Sequence, residues 1–147
     1  MSKVKKLLDK LVKKCGAITS PASNNANKFA EIKNLPQEYL EFMNLTDGLG
    51  LSVSEILDTS DGEYSFVETN KQYKKEFLDA FAKDFVADDY SLFATDGMGG
   101  YYAFSAQENN EKVYYFDHEF SDDLKTYKSF IHFLKDLIKQ EIELNKE

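Results

Sequence analysis

Three short aromatic runs constrain this chain more than any other feature: Tyr90–Ala94, Tyr101–Phe104 and Val113–Phe116. Aromatic and β-branched residues of this kind suit a pleated, half-buried surface. Only six residues separate the first pair of runs and eight the second, whereas parallel strands need a crossover of a dozen or more. The runs are therefore expected to form an antiparallel meander. Asp96-Gly-Met-Gly-Gly100 and Gln107-Glu-Asn-Asn-Glu111 are its connections.

Outside this region the apolar period changes to that of a helix. Val4, Leu7, Leu8, Leu11, Val12 and Cys15 fall on one stripe, with Lys3, Lys5, Lys6, Lys10, Lys13 and Lys14 around it and Gly16 as the stop. Such a basic amphipathic helix suits either a membrane surface or a packed core, and the core reading is preferred. Residues 18–28 are polar and read as a loop. Pro36 sits well in a helical first turn; Leu35, Tyr39, Phe42 and Met43 then make a stripe that Asp47-Gly48 ends. Leu49–Leu57 is expected to be a short strand or irregular rim, Asp58–Gly62 a turn, and Tyr64–Val67 a short strand. Residues 70–86 carry Tyr73, Phe77, Leu78, Phe81 and Phe85 at helical spacing. From Phe130 onward, Phe133, Leu134, Leu137, Ile138 and Leu144 share a sector, with Ser129 as the cap. Helices flanking an antiparallel sheet, with amphipathic helices towards both ends, give an α+β class.

The 147 residues suit a single domain, 1–147, which can bury roughly 70% of the surface its unfolded chain exposes. One cysteine cannot build a disulfide framework and fits a reducing compartment. Met1 to Cys15 superficially resembles a lipoprotein leader, but Asp9, Lys10, Lys13 and Lys14 interrupt its apolar segment. A cytoplasmic protein without a membrane span is expected.

Chemical constellations are weak. Asp117-His118-Glu119 places three metal-binding side chains in a row, yet adjacent strand residues point to opposite faces, and a zinc site takes three or four convergent ligands. Asp58–Glu63 lacks the ligand spacing of a calcium loop. Asp96–Gly100 lacks the lysine and the following helix of a phosphate loop. Cys15 lies on an apolar stripe, where it acts as a small hydrophobe, and no serine stands in a nucleophile elbow. With 26 acids, two carboxylates within reach of each other are expected by chance. No metal, no cofactor and no catalysis are expected.

Charge is more informative. The formal charge is −8, with no Trp, and all 18 positive residues are Lys. Lacking Arg, the usual bidentate reader of phosphate and guanine, and being acidic, the chain is expected not to bind nucleic acid. Residues 1–28 carry net +6, 29–83 net −6, 84–123 net −9 and 124–147 net +1. The aromatic meander is thus the acidic segment, with Asp88, Asp89, Asp96, Glu108, Glu111, Asp117, Glu119, Asp122 and Asp123 in or beside its loops. The expected picture is an acidic rim around tyrosine-rich strand ends, suited to docking a basic protein.

Five segments in order resemble the SUKH superfamily: Leu35-Pro-Gln-Glu-Tyr-Leu-Glu-Phe42, Thr46-Asp-Gly48, Leu92–Phe104, Val113–Glu119 and Ser129-Phe-Ile-His-Phe-Leu134. The resemblance covers about residues 29–138. The Asn-rich stretch 24–28 departs from the helical lead-in that the family pattern has before Leu35-Pro36. That superfamily includes fungal cell-wall-synthesis regulators and many bacterial immunity proteins. The resemblance implies helices against one antiparallel sheet and no catalysis. It also implies a small cytoplasmic protein that binds and neutralises a toxin, often a nuclease. A non-catalytic regulatory adaptor of the fungal type is the alternative. The expected contacts to a basic toxin are Asp88, Asp89, Asp96, Asp117, Glu119, Asp122 and Asp123.

Overall fold

The fold is taken from a computed structural model, which describes residues 2–22, 34–60, 62–81, 85–107, 110–117 and 125–146. Helix α1 (Lys3–Cys15) starts where the Ser2 hydroxyl accepts the Lys5 N–H at 3.1 Å and stops at Gly16, whose φ of 67° is the left-handed value a C-cap glycine tolerates. Val4, Leu8, Leu11 and Cys15 are buried and the six lysines face outward. The stripe thus serves the core rather than a membrane. Helix α2 (Gln37–Leu45) follows Pro36 and buries Tyr39, Phe42 and Met43.

Among the described residues the sheet has seven strands in chain order, all paired antiparallel: β1 (Ile18–Thr19), β2 (Leu49–Gly50), β3 (Glu55–Ile56), β4 (Tyr90–Thr95), β5 (Tyr101–Ser105), β6 (Val113–Phe116) and β7 (Lys125–Tyr127). The three long strands are the expected meander. Strand β1 lies where a loop is expected, and residues 23–28, including the Asn-rich stretch, lie outside the described residues.

Tyr64–Val67 is not a strand. Ser65 accepts the Glu68 N–H at 3.3 Å, opening helix α3 (Phe66–Glu68), which runs through a π-helical turn at Thr69–Tyr73 into helix α4 (Lys74–Phe81). Ser65-Phe-Val-Glu68 has the spacing of a capping box, and that local signal overrides the β-preference of Tyr64 and Val67. The helix stops short of Phe85, which instead packs on Phe116 and Tyr90, ring centroids 5.2 and 5.7 Å apart.

Register assigns the two faces of the sheet. Leu49, Ile56, Ala94, Tyr102, Tyr115 and Lys125 form one row across strands β2 to β7. Apart from Lys125, these side chains join the core that α1, α2 and helix α5 (Phe130–Leu144) cover. The neighbouring row, Gly50, Glu55, Thr95, Tyr101 and Phe116, lies on the opposite face. There α4 and Phe85 cover β4 to β6 with Phe77, Leu78, Leu92, Ala103 and Phe116.

A bulge between Leu92 and Ala94 turns Phe93 to the inner face, where it stacks on Phe104 at 3.9 Å. Tyr39 is fully buried with Phe93, Phe104 and Phe130 around it, centroids 4.8–5.7 Å away. Each such ring contributes about 1.5–3 kcal/mol through burial.

Candidate partner-binding cleft

Strand geometry divides the expected acidic rim. Asp88 and Asp89 form a short 3-10 turn (Ala87–Asp89) just before β4 and are exposed. Asp96 follows the other end of β4, and Asp117 follows Phe116, which pairs with Tyr101 at that same end. Six residues at ~3.3 Å each separate the two pairs by roughly 20 Å. Glu119, Asp122 and Asp123 lie outside the described residues. Among the described residues, then, the acids expected to form one rim occupy two ends of the sheet.

Asp96 is not an outward carboxylate. It is 7% exposed, and its Oδ1 accepts the N–H groups of Met98 at 2.7 Å and Gly100 at 2.9 Å, while Oδ2 accepts the Tyr115 hydroxyl. An Asx-type turn of this kind lets the chain reverse within a few residues. Asp96 builds the β4–β5 turn, and that role accounts for both of its oxygens. The Thr46-Asp-Gly48 motif is structural in the same way: Asp47 Oδ1 accepts from the backbone and hydroxyl of the buried Thr59 at 2.9 and 2.8 Å.

Beside the β4–β5 turn, the second half of α5 crosses the inner row and encloses an open cleft of about 660 Å³. Tyr102 and Tyr115 form its floor, rings 4.8 Å apart. Asp136 leans in from α5. Its Oδ2 accepts the Tyr127 hydroxyl and, at 2.7 Å, the Gln140 amide, and lies 3.7 Å from the Lys125 ammonium. Lys125 also stands 5.2 Å over the Tyr127 ring. Burial, followed by the charge of Asp96, pushes Tyr102 up to about 12. Burial and the carboxylates they bond, Asp96 and Asp136, raise Tyr115 and Tyr127 further. All three are therefore neutral at ordinary pH, and Tyr115 and Tyr127 donate to the carboxylates.

Glu141 supplies the second structural carboxylate. It is 3% exposed, and one oxygen accepts both the Ser52 N–H, at 3.0 Å, and the Ser52 hydroxyl. This fastens the β2–β3 turn to α5. The sequence carries the signal: at ~100° per residue Glu141 comes round to within about 20° of Phe130, a charge placed in the middle of an apolar stripe.

The rim of the cleft is apolar. Val53 in the β2–β3 turn, Met98 in the β4–β5 turn and Leu144 at the end of α5 are 41%, 67% and 46% exposed, although they come from three separate parts of the chain. Four carboxylates, Asp96, Asp136, Glu141 and Glu143, line the cleft against two lysines, Lys125 and Lys139. With Asp96 and Glu141 committed to turns, Asp136 and the outward-facing Glu143 are the acids a partner would meet. At ~100° per residue both fall on the side of α5 opposite Phe130, where the sequence alone marks them as ordinary solvated acids.

Of Asp117-His118-Glu119, only Asp117 is described, and it is half-buried. Among the described residues no three His, Cys or carboxylate groups converge. Cys15 is buried, and burial followed by the charge of Glu141 raises its thiol, so it is no poised nucleophile. No described helix is long and apolar enough to cross a membrane.

The sequence pattern of the SMI1 / KNR4 family (SUKH-1) matches residues 30–136. No curated protein matches the chain.

Proposed function

The chain belongs to the SMI1 / KNR4 family (SUKH-1), and from that premise we propose that it is an immunity-type binding protein that neutralises a basic toxin domain. It does so without catalysis, in the cytoplasm, as a single SUKH-like domain over residues 1–147. A nuclease-type toxin must carry cations to hold phosphate, and a chain of net charge −8 complements it.

The observation behind this reading is the cleft, where accessible carboxylates adjoin a ring of exposed apolar side chains at the sheet end that also carries Asp117. Charge of this kind speeds encounter and selects partners. Desolvated apolar contact at the centre of an interface carries most of the affinity. Asp117, with Glu119, Asp122 and Asp123 after it in sequence, is assigned to the contact. Asp88 and Asp89, at the far end of β4, belong to a separate surface.

The test is protection. The partner is recovered by co-purification from the producing strain and then expressed with and without this chain. Growth should be restored by the wild type and lost when Asp117, Glu119, Asp122 and Asp123 are all changed to Lys, and binding of the purified pair should weaken steeply as salt rises. Undiminished protection in that variant would remove the surface. A non-toxic partner acting in wall synthesis would replace neutralisation with the adaptor role.

A further inference from the structure

The cleft described above has a shape and chemistry that name its occupant more narrowly than "a basic protein". Resting on the neutralisation reading, we propose that it takes one cationic side chain, Lys or Arg, presented by a partner segment with apolar residues on either side.

Three observations point to this occupant. First, the apolar rim is discontinuous in sequence but converges in space. Val53, Met98 and Leu144 lie in two turns and a helix end, and each remains exposed. Second, both turns are held at fixed positions by buried carboxylates, Asp96 through Met98, Gly100 and Tyr115, and Glu141 through Ser52. The opening is therefore preformed, which lowers the ordering cost of binding. Third, the lining is net acidic, with Asp96, Asp136, Glu141 and Glu143 against Lys125 and Lys139, and Tyr115 stands among them.

All the Asp136 contacts given above fall on Oδ2, so among those contacts Oδ1 is left to face the cleft. The half-buried Tyr115 offers ring surface beside it, backed by the buried Tyr102 ring 4.8 Å away. A guanidinium or ammonium gains from both a carboxylate and an aromatic face, while its methylene stem needs apolar surface such as the Met98 and Leu144 side chains. An acidic segment would meet Asp136 and Glu143. A purely apolar one would leave the tyrosine hydroxyls and Asp136 desolvated.

The experiment uses the whole chain with the Met98 methyl group observed by NMR. Three synthetic capped peptides serve as probes: Leu-Arg-Leu, Leu-Glu-Leu and Ser-Arg-Ser. Saturable shifts of the Met98 methyl are expected with Leu-Arg-Leu, at concentrations at least fivefold lower than either control requires. Asp136→Asn, which keeps an acceptor for Tyr127 and Gln140, should weaken binding about fivefold. Leu144→Ser, at an exposed position that the fold does not need, should weaken it too. Equal response to Leu-Glu-Leu, or no response of Met98 to any peptide, would overturn the cationic occupant. Salt-dependent partner binding and protection would then still stand or fall on the Asp117 surface, so the two failures are separable.

Discussion

The backbone carbonyl of Val53 occupies the space that a side chain on Gly97 would fill: a β-carbon there would press on the Val53 oxygen and come within 2.9 Å of its carbonyl carbon. Gly97 also has φ 76°, which disfavours any L side chain. The β2–β3 and β4–β5 turns are thus in backbone contact, and the two sides of the cleft rim support one another. Gly97→Ala should destabilise the protein by about 2–3 kcal/mol, read as a lower urea midpoint at unchanged slope. Gly62→Ala, where the nearest obstacle is a side-chain atom, the Ser60 hydroxyl at 3.2 Å, should cost far less.

A second prediction concerns Asn70. From the π-helical turn its amide donates to the carbonyls of Phe66 and Leu92, both at 2.8 Å, and its Oδ1 accepts the Leu92 N–H at 2.7 Å. Leu92 is fully buried beside the bulge, so its backbone groups depend on this side chain. Asn70→Ala should cost about 2–3 kcal/mol by leaving buried groups unpaired. Asn70→Asp should restore only the acceptor, and hydrogen exchange at the Leu92 amide should separate the two variants.

Alkaline pH should unfold the protein through its cleft. Tyr102 is pushed up to about 12 by burial and the Asp96 charge, and Tyr115 and Tyr127 are raised by burial and by the carboxylates they bond. The native state therefore holds these phenolic protons more tightly than the unfolded chain, whose tyrosines titrate near pH 10. The associated stability is complete below pH 10 and is lost as pH rises through about 12. Tyrosinate absorbance from these residues should appear together with loss of near-UV circular dichroism rather than before it. Tyr115→Phe should also weaken the grip on Asp96 at neutral pH.

Charge reversal should act on one end of the sheet only. Asp117→Lys with Asp136→Lys should slow association with the basic partner and flatten its salt dependence. Asp88→Lys with Asp89→Lys, roughly 20 Å away along β4, should change the association rate much less. Stopped-flow association at low and high salt checks both, and equal effects would place the contact elsewhere.

The sequence made the long elements legible and the short ones illegible, for a physical reason. Helices α1 and α5 and the β4–β6 meander repeat a period often enough to show it, and Gly16 and Ser129 cap the helices as expected. Strands β1, β2 and β3 have two residues each, too few to display any alternation, and exist because neighbouring strands pair with them. In Tyr64–Val67, β-preference and a capping box compete, and the hydrogen bond from Glu68 to Ser65 settles the outcome. Density along the chain is not density on a surface, so among the described residues the expected acidic rim divides. A strand carries Asp89 and Asp96, seven positions apart, to opposite ends. Conversely Val53, Met98 and Leu144 are isolated in sequence and meet only through tertiary structure.

The seven strands pair strictly in chain order, while α5, which follows all of them, supplies Phe130, Phe133, Leu134 and Leu137 to cover the inner face. As the polypeptide leaves the ribosome, the sheet's aromatic surface is therefore made before its lid. A nascent chain stalled ahead of Ser129 would leave uncovered the parts of Phe93, Phe104 and Tyr102 that Phe130 and Phe133 pack against, which makes that interval of translation the one in which chaperone engagement or self-association has its opportunity.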